Sequence, residues 1–214
     1  MQMKKKIIIK STELFLNLGF KSVTMDDIAA EMGISKKTIY QYFETKTKLI
    51  EATAIYKFES ISESIDAIFT LDANPIEELF KIKEFITNYM SNLKKSPEFQ
   101  LKKYYPRIHT ILRQKQFEVM QSCVIDNLNR GIAEGLYRDN LNVEIISRLY
   151  FNALGALKDE ELFPTNQFTL QELLDYYLEY HLRGICTPLG TTLLNKKILL
   201  KLITNNEKQT NTII

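Results

Sequence analysis

The sequence predicts an all-α protein. Glycine (7) and proline (5) are too scarce in 214 residues for the many turns of an all-β sandwich or barrel. Apolar residues recur at helical spacing along most of the chain, and no stretch alternates as a half-buried strand does. The hydrophobic (45%) and charged (25%) fractions are ordinary for a globular chain long enough to bury a sizeable core.

Ile8, Ile9, Thr12, Leu14, Phe15 and Leu18 place a first helix over about 4–18, with Gly19 just past its end. Thr24-Met25-Asp26-Asp27 has the form of a capping box and opens a second helix over 25–32, stopped by Gly33. Ser35 caps a third helix, 36 to about 42, with Ile39 inward. Thr45 caps a long fourth helix that ends near Leu71. Asn74-Pro75 opens a fifth, Ser96-Pro97 a short sixth reaching Tyr104, and Pro106 a long seventh to about Glu134. Asn142 caps an eighth over 143–159, and a ninth spans about 170–185. After Pro188 the pattern weakens; 196–203 reads as one more helical stretch and 205–214 as a frayed tail. No repeat is visible. The organisation expected is a three-helix head over 1–48, a helical body over 49–190 and a partly frayed extension over 191–214.

Several chemistries are excluded. Cys123 and Cys186 cannot form a disulfide framework and read as reduced thiols of a cytoplasmic protein. His109 and His181 stand far apart, with no metal-ligand spacing, so no metal is expected. There is no glycine-rich phosphate loop, no coherent nucleophile and base, and no call for a cofactor, so an enzyme is not expected. The apolar run in MQMKKKIIIK is too short for a signal peptide or a membrane span.

Charge is distributed unevenly. Residues 1–50 hold nine lysines and five acids, a net of +4, whereas the remainder holds 19 basic and 21 acidic residues. A basic head on a slightly acidic body suits a polyanionic partner. Within that head, Ala29, Gly33, Ile34 and Ile39 have the spacing of a helix-turn-helix. The alanine permits close helix crossing, the glycine takes the left-handed turn, and the isoleucines pack on both sides. Lys36 and Lys37 begin the third helix, and Lys46 and Lys48 the fourth, where the helix dipole prefers acids by roughly 0.3–1 kcal/mol. Four lysines set against that preference around one turn form an anion site, with phosphate the natural anion. Lysine, Gln41 and Thr38 can read base edges, and the hydroxyls of Tyr40 and Tyr42 can reach phosphates.

The stretch from Ile8 to Ala52 resembles the N-terminal domain of the TetR family of bacterial transcriptional regulators. The resemblance rests on Leu14-Phe15, Gly19-Phe20, Thr24, Asp27-Ile28-Ala29, Gly33-Ile34-Ser35, Thr38-Ile39-Tyr40, Tyr42-Phe43 and Lys46-x-x-Leu49. Lys37 stands where the family often has glycine, and Glu44-Thr45-Lys46-Thr47 varies its usual Ser-Lys-Glu. The resemblance implies a third helix lying in the major groove. Thr24, Tyr42 and Lys46 would then meet phosphates, and Lys36, Lys37, Thr38, Tyr40 and Gln41 would lie at or near the bases. It further implies a homodimer on a palindromic operator, double-stranded DNA as partner, and mostly repression relieved by a small-molecule effector.

For the body, the resemblance implies a dimer interface built from the last two long helices. Leu149, Ala153, Ala156 and Leu157 independently form a helical stripe, and Tyr176, Tyr177 and Tyr180 crowd the ninth helix. A ligand pocket among the middle helices would draw on Tyr89, Tyr104, Tyr105, His109, Arg113, Phe117 and Phe151, aromatic surface with a few polar handles. The alternative readings are a helical enzyme or small-molecule carrier whose basic head is merely structural, and a helical protein–protein adaptor that uses the basic head on an acidic partner.

Overall fold

Every predicted helix forms in the computed structural model, which describes residues 2–69, 71, 73–91 and 97–211. Helices α1 (Gln2–Leu18), α2 (Met25–Met32) and α3 (Lys36–Tyr40) make the head. Helices α4 (Lys46–Phe69), α5 (Pro75–Ser91), α6 (Pro97–Tyr104) and α7 (Pro106–Ala133) follow, then α8 (Val143–Ala156), α9 (Leu170–Ile185) and α10 (Pro188–Asn211). The described residues contain no strand, only an isolated antiparallel bridge between Tyr137 and Cys186. The expected Ser96 cap of α6 lies outside the described residues.

Several boundaries differ from the sequence reading. Helix α8 ends at Ala156 rather than 159, and α10 continues to Asn211, through most of the stretch read as a frayed tail. Helix α3 stops at Tyr40 because the Tyr42 amide bonds back to the Ile39 carbonyl, three residues away, and tightens the chain into a turn. Helix α10 begins at Pro188, well before residue 196. The Thr187 hydroxyl accepts from the Gly190 amide at 3.2 Å, and Pro188 fills the first helical position. Its apolar period was hidden by a close approach. A Cβ on Gly190 would stand 2.1 Å from the Leu136 carbonyl oxygen, so no larger residue fits there.

The chain forms two compact units, and the backbone passes between them within α4, α5 and α7. The first comprises residues 1–66 and 88–119. Its core joins Ile7, Phe15, Phe20, Ile28, Ile39, Phe43, Leu49 and Ile50 with Leu101 of α6 and Ile108 and Leu112 of α7. Helix α6 is fastened to the α1–α2 turn. The Phe20 amide donates to Gln100 Oε1 at 2.9 Å. Gly19 (φ 94°) leaves the room this contact needs.

The second unit comprises residues 67–87 and 120–214. Its core includes Ile76, Phe80, Leu128, Tyr137, Leu178, Leu182 and Leu194. A satisfied polar network crosses it. Arg130 Nη2 donates to both oxygens of buried Glu78 at 2.7 and 2.8 Å, and Asn127 Nδ2 donates to Glu78 Oε1 at 2.6 Å. Tyr137 donates its hydroxyl to Asn127 at 3.2 Å. Such a network fixes packing because a half-satisfied one would leave buried charge. Lys83 pairs with Asp175 in the same unit.

His181 of α9 lies against Tyr150 of α8, ring centroids 4.7 Å apart, and stacks on Tyr177. Burial pushes its imidazole down to about 4, so the folded state binds this proton less readily than the unfolded chain. The stability contributed by neutral His181 is complete above its ordinary value near 6.5 and is lost as pH falls towards 4. Denaturant unfolding of the wild type should therefore weaken across that window. A His181→Phe variant, which cannot take up the proton, should show a flatter pH dependence.

Candidate nucleic-acid interface

The head is built to display one short helix. Thr24 caps α2 by a reciprocal box: its amide and hydroxyl each donate to Asp27 Oδ2 at 2.8 Å, and the Asp27 amide donates back to Thr24 Oγ1 at 3.2 Å. Gly33 (φ 64°) ends α2 and turns the chain. Ser35 then caps α3, accepting from the Thr38 amide at 3.0 Å while its hydroxyl meets Thr38 Oγ1 at 2.8 Å. Ile39 and Phe43 are buried, and Ala29 is buried where α2 and α3 pack. Lys36, Lys37, Tyr40, Gln41 and Tyr42 are consequently exposed on the outer side of α3 and its turn.

The lysines are less alike than the sequence suggests. Lys36 pairs with Asp26 at 2.7 Å, and this hydrogen bond holds its ammonium above the usual lysine range. Lys48 pairs with Glu51 at 2.9 Å. Lys46 is half-buried; its Nζ donates to the Lys21 carbonyl at 3.3 Å and lies 6.0 Å from the Phe15 ring centroid. Burial pulls the Lys46 ammonium down, and nearby Asp27 pulls it partly back. Lys37 carries no ion pair among the described residues. Three of the four lysines thus have partners within the chain. Helix α3, five residues long, sums few peptide dipoles, so its display of cations owes more to side chains than to the helix terminus.

Cationic groups that the sequence reading passed over also gather here. Lys4 Nζ stands 5.6 Å from the Phe43 ring centroid, which brings the basic N-terminal run beside the α3–α4 turn. Lys21 lies 5.0 Å from the Tyr104 ring centroid. The uneven charge of the first fifty residues signalled both, but spacing alone could not say which faces they share.

The expected pocket residues are dispersed. Tyr89, Tyr104, Tyr105, His109, Arg113 and Phe117 lie in the first unit, and Phe151 in the second. Tyr105 packs edge-on against Phe20 at 6.4 Å, as part of the head core. Tyr104 is on the surface, beneath Lys21 and Lys103. Tyr89 is half-buried, and burial raises its phenol; Lys57 of α4 holds its ammonium 4.6 Å from that ring centroid. Lys57 was missed because helical spacing does not say which ring of another helix a lysine meets.

The expected dimer residues lie in the second unit. Leu149 (60% exposed) on α8 and Tyr176 (78%) and Tyr180 (77%) on α9 present large apolar surface. Ala153, Ala156 and Leu157 are half-buried. Tyr177 turns inward instead, 5.7 Å from the Tyr150 ring.

Residues 7–53 match the sequence profile described as bacterial regulatory proteins, tetR family. The chain resembles this family over these residues. It is a DNA-binding transcriptional regulator. Over 189 residues it is 27% identical to YvaF of Bacillus subtilis, an uncharacterized HTH-type transcriptional regulator, covering 86% of this chain and 95% of that one. It is 23% identical over 179 residues to the HTH-type transcriptional repressor KstR2 of Mycobacterium tuberculosis, covering 80% and 87%. Its fold matches the crystal structure of a putative regulator from Saccharomonospora viridis in complex with choline. The TM-score is 0.68 at 15% identity, covering 87% of this chain and 98% of that one. No helix among the described residues is long and apolar enough to cross a membrane.

Asp27 is held ionised below the usual carboxylate range, first by the Thr24 amide and then by its hydroxyl. A depressed carboxylate contributes stability above its unfolded value and loses it as pH falls. Asp27→Asn should lower stability near neutral pH, and the gap from wild type should close on acidification towards pH ~3. Chemical denaturation of both proteins at several pH values measures this.

Proposed function

We propose that the protein is a homodimeric repressor that grips a palindromic operator through two copies of α3 and leaves it when a small-molecule effector binds. One observation carries the reading. The head buries Ile39 and Phe43 and spends the outer side of a five-residue helix and the turn after it on Lys37, Tyr40, Gln41 and Tyr42. A helix this short would gain nothing from such a face in a merely structural role.

The division of labour follows from chemistry. Thr24, Tyr42, Lys46 and Lys48 sit at the ends of α2, α3 and α4 and would position the head on phosphates. Lys36, Lys37, Thr38, Tyr40 and Gln41 would meet the bases, with Ser35 setting the start of the helix. The pairs Lys36–Asp26 and Lys48–Glu51 are exposed, worth roughly 0–1 kcal/mol, and exchange readily for phosphate. Leu149, Ala153, Ala156, Leu157, Tyr176 and Tyr180 would face a second copy, which would set the two heads about one helical turn apart. The effector site would lie in the first unit, near Tyr89, His109, Arg113 and Phe117. The choline-bound relative supports a small molecule as the class of ligand. Release requires an effector that binds the non-gripping arrangement more tightly than the gripping one.

Selection of bound sites from random duplexes tests the reading and rules it out if no preferred sequence emerges. On the selected site, Lys46→Ala should weaken every duplex alike. Gln41→Ala should relax discrimination at one base pair by about 1–3 kcal/mol. An adaptor or carrier would show neither pattern.

Joint Tyr176→Glu and Tyr180→Glu substitution should give a monomer in sedimentation, because two carboxylates would be desolvated in the interface. Affinity for the full palindrome should fall sharply, while affinity for a single half-site should stay as in the wild type.

A further inference from the structure

The proposed DNA-binding face does not end with the three-helix head. Helix α6 adds charge to the same unit. Tyr104, its last residue, is 41% exposed and carries two ammonium groups over its ring: Lys21 at 5.0 Å and Lys103 at 5.6 Å from the centroid. Neither lysine has an ion pair among the described residues. Lys103 also lies 5.5 Å from the Phe99 ring centroid. Two like charges gathered at one ring repel each other, a cost that the ring quadrupole offsets in part and a nearby anion would relieve.

This pair is continuous with the head's proposed phosphate contacts. Lys46 donates to the carbonyl of Lys21, and Asp27 lies near Lys46 and is bonded to Thr24. A chain of direct neighbours therefore runs from the α2 cap through Lys46 and Lys21 to Lys103. The end of that chain is held firmly. Leu101 is buried in the head core, and Gln100 accepts from the Phe20 amide. Phe20, Tyr105 and Phe15 pack around that anchor. The stretch of α6 that carries the cations is thus held against the head core.

We propose that Lys21 and Lys103, spaced by Tyr104, form a second phosphate contact that grips duplex DNA outside the segment read by α3. The proposal rests on the DNA-binding reading above. It assigns to α6 a role in backbone binding and takes Tyr104 from the effector pocket to the operator surface. Mixed-sign surfaces are the rule on soluble proteins; an anchored, unpaired, like-charged pair beside a phosphate site is what backbone binding requires.

The test uses the full chain, the duplex selected by the wild type, and a version trimmed to the bases that α3 protects. Lys21→Gln with Lys103→Gln should leave sequence preference unchanged. On the long duplex, the slope of log affinity against log salt should fall by about 0.9 per lost contact. For two contacts, the loss of affinity between 50 and 200 mM salt should be roughly tenfold smaller than in the wild type. On the trimmed duplex, the variant and the wild type should agree. An unchanged slope on the long duplex, or an equal change on both, overturns the α6 contact while leaving the head's role intact. A wild type that prefers no duplex overturns both. Thermal unfolding of the variant, expected to match the wild type because both side chains are on the surface, separates lost contacts from lost fold.

Discussion

The whole reading side of this protein depends on burying Ile39 and Phe43. Five residues cannot sustain an α-helix, because nucleation costs more than one turn of hydrogen bonds returns. Helix α3 exists because its inward side chains complete a core that α1, α2 and α4 have already formed. Burial of an isoleucine side chain is worth about 1.5–3 kcal/mol, comparable to the whole deficit of a short helix. The same packing fixes rotation about the helix axis. With Ile39 inward, Lys37, Tyr40 and Gln41 have no direction left but outward. Gly33 and Ala29 serve this constraint: one lets the chain turn, and the other lets α2 and α3 approach closely.

Electrostatics then works on a surface that packing has set. Two of the four lysines around the turn already hold a carboxylate, through exposed pairs of little net worth. Such partners keep a cationic face soluble and can be replaced by phosphate at small cost. Lys46 is different. Its stem packs against Phe15, burial depresses its ammonium, and Asp27 compensates in part. A partly desolvated ammonium gains more from an incoming phosphate than a hydrated one, because the desolvation has already occurred in the folded protein. Lys46 is thus the lysine of the turn whose position is decided before DNA arrives.

The helices and the turn were legible in the sequence because caps and glycines are local signals. Thr24 with Asp27, Ser35 and Asn142 each satisfy backbone groups within four residues where a helix begins, and Gly33 does so where α2 ends. Partnerships across elements were not legible. The pair Lys36–Asp26 spans ten residues, and Phe20 meets Gln100 eighty residues on. Helical period says that Leu101 and Ile108 face a core but not which one, so α6 and the start of α7 read as body while packing with the head. The start of α10 was hidden for the opposite reason. Gly190 stands where an apolar residue would have marked the period, because the Leu136 carbonyl leaves no space for one. Tyr177 and Tyr180 looked equivalent in sequence, yet one ring packs on Tyr150 and the other faces outward.

That last difference bears on assembly. A chain that only needed to fold would turn both tyrosines inward or replace the outer one with a charged residue. Instead Tyr176 and Tyr180 are spaced one turn apart on the same side of α9, and Ile145 and Leu149 repeat that spacing on α8. Four large side chains left in water at helical period form an apolar surface of the kind monomers avoid. Tyr150, Tyr177 and His181 pack the two helices together from within, so the outer stripes are carried on a rigid pair. In the proposed homodimer these stripes would meet a second copy across a two-fold axis. The proposed pairing would answer a need of DNA reading, because one head with a single short helix contacts too few base pairs to distinguish a site from the bulk of a genome.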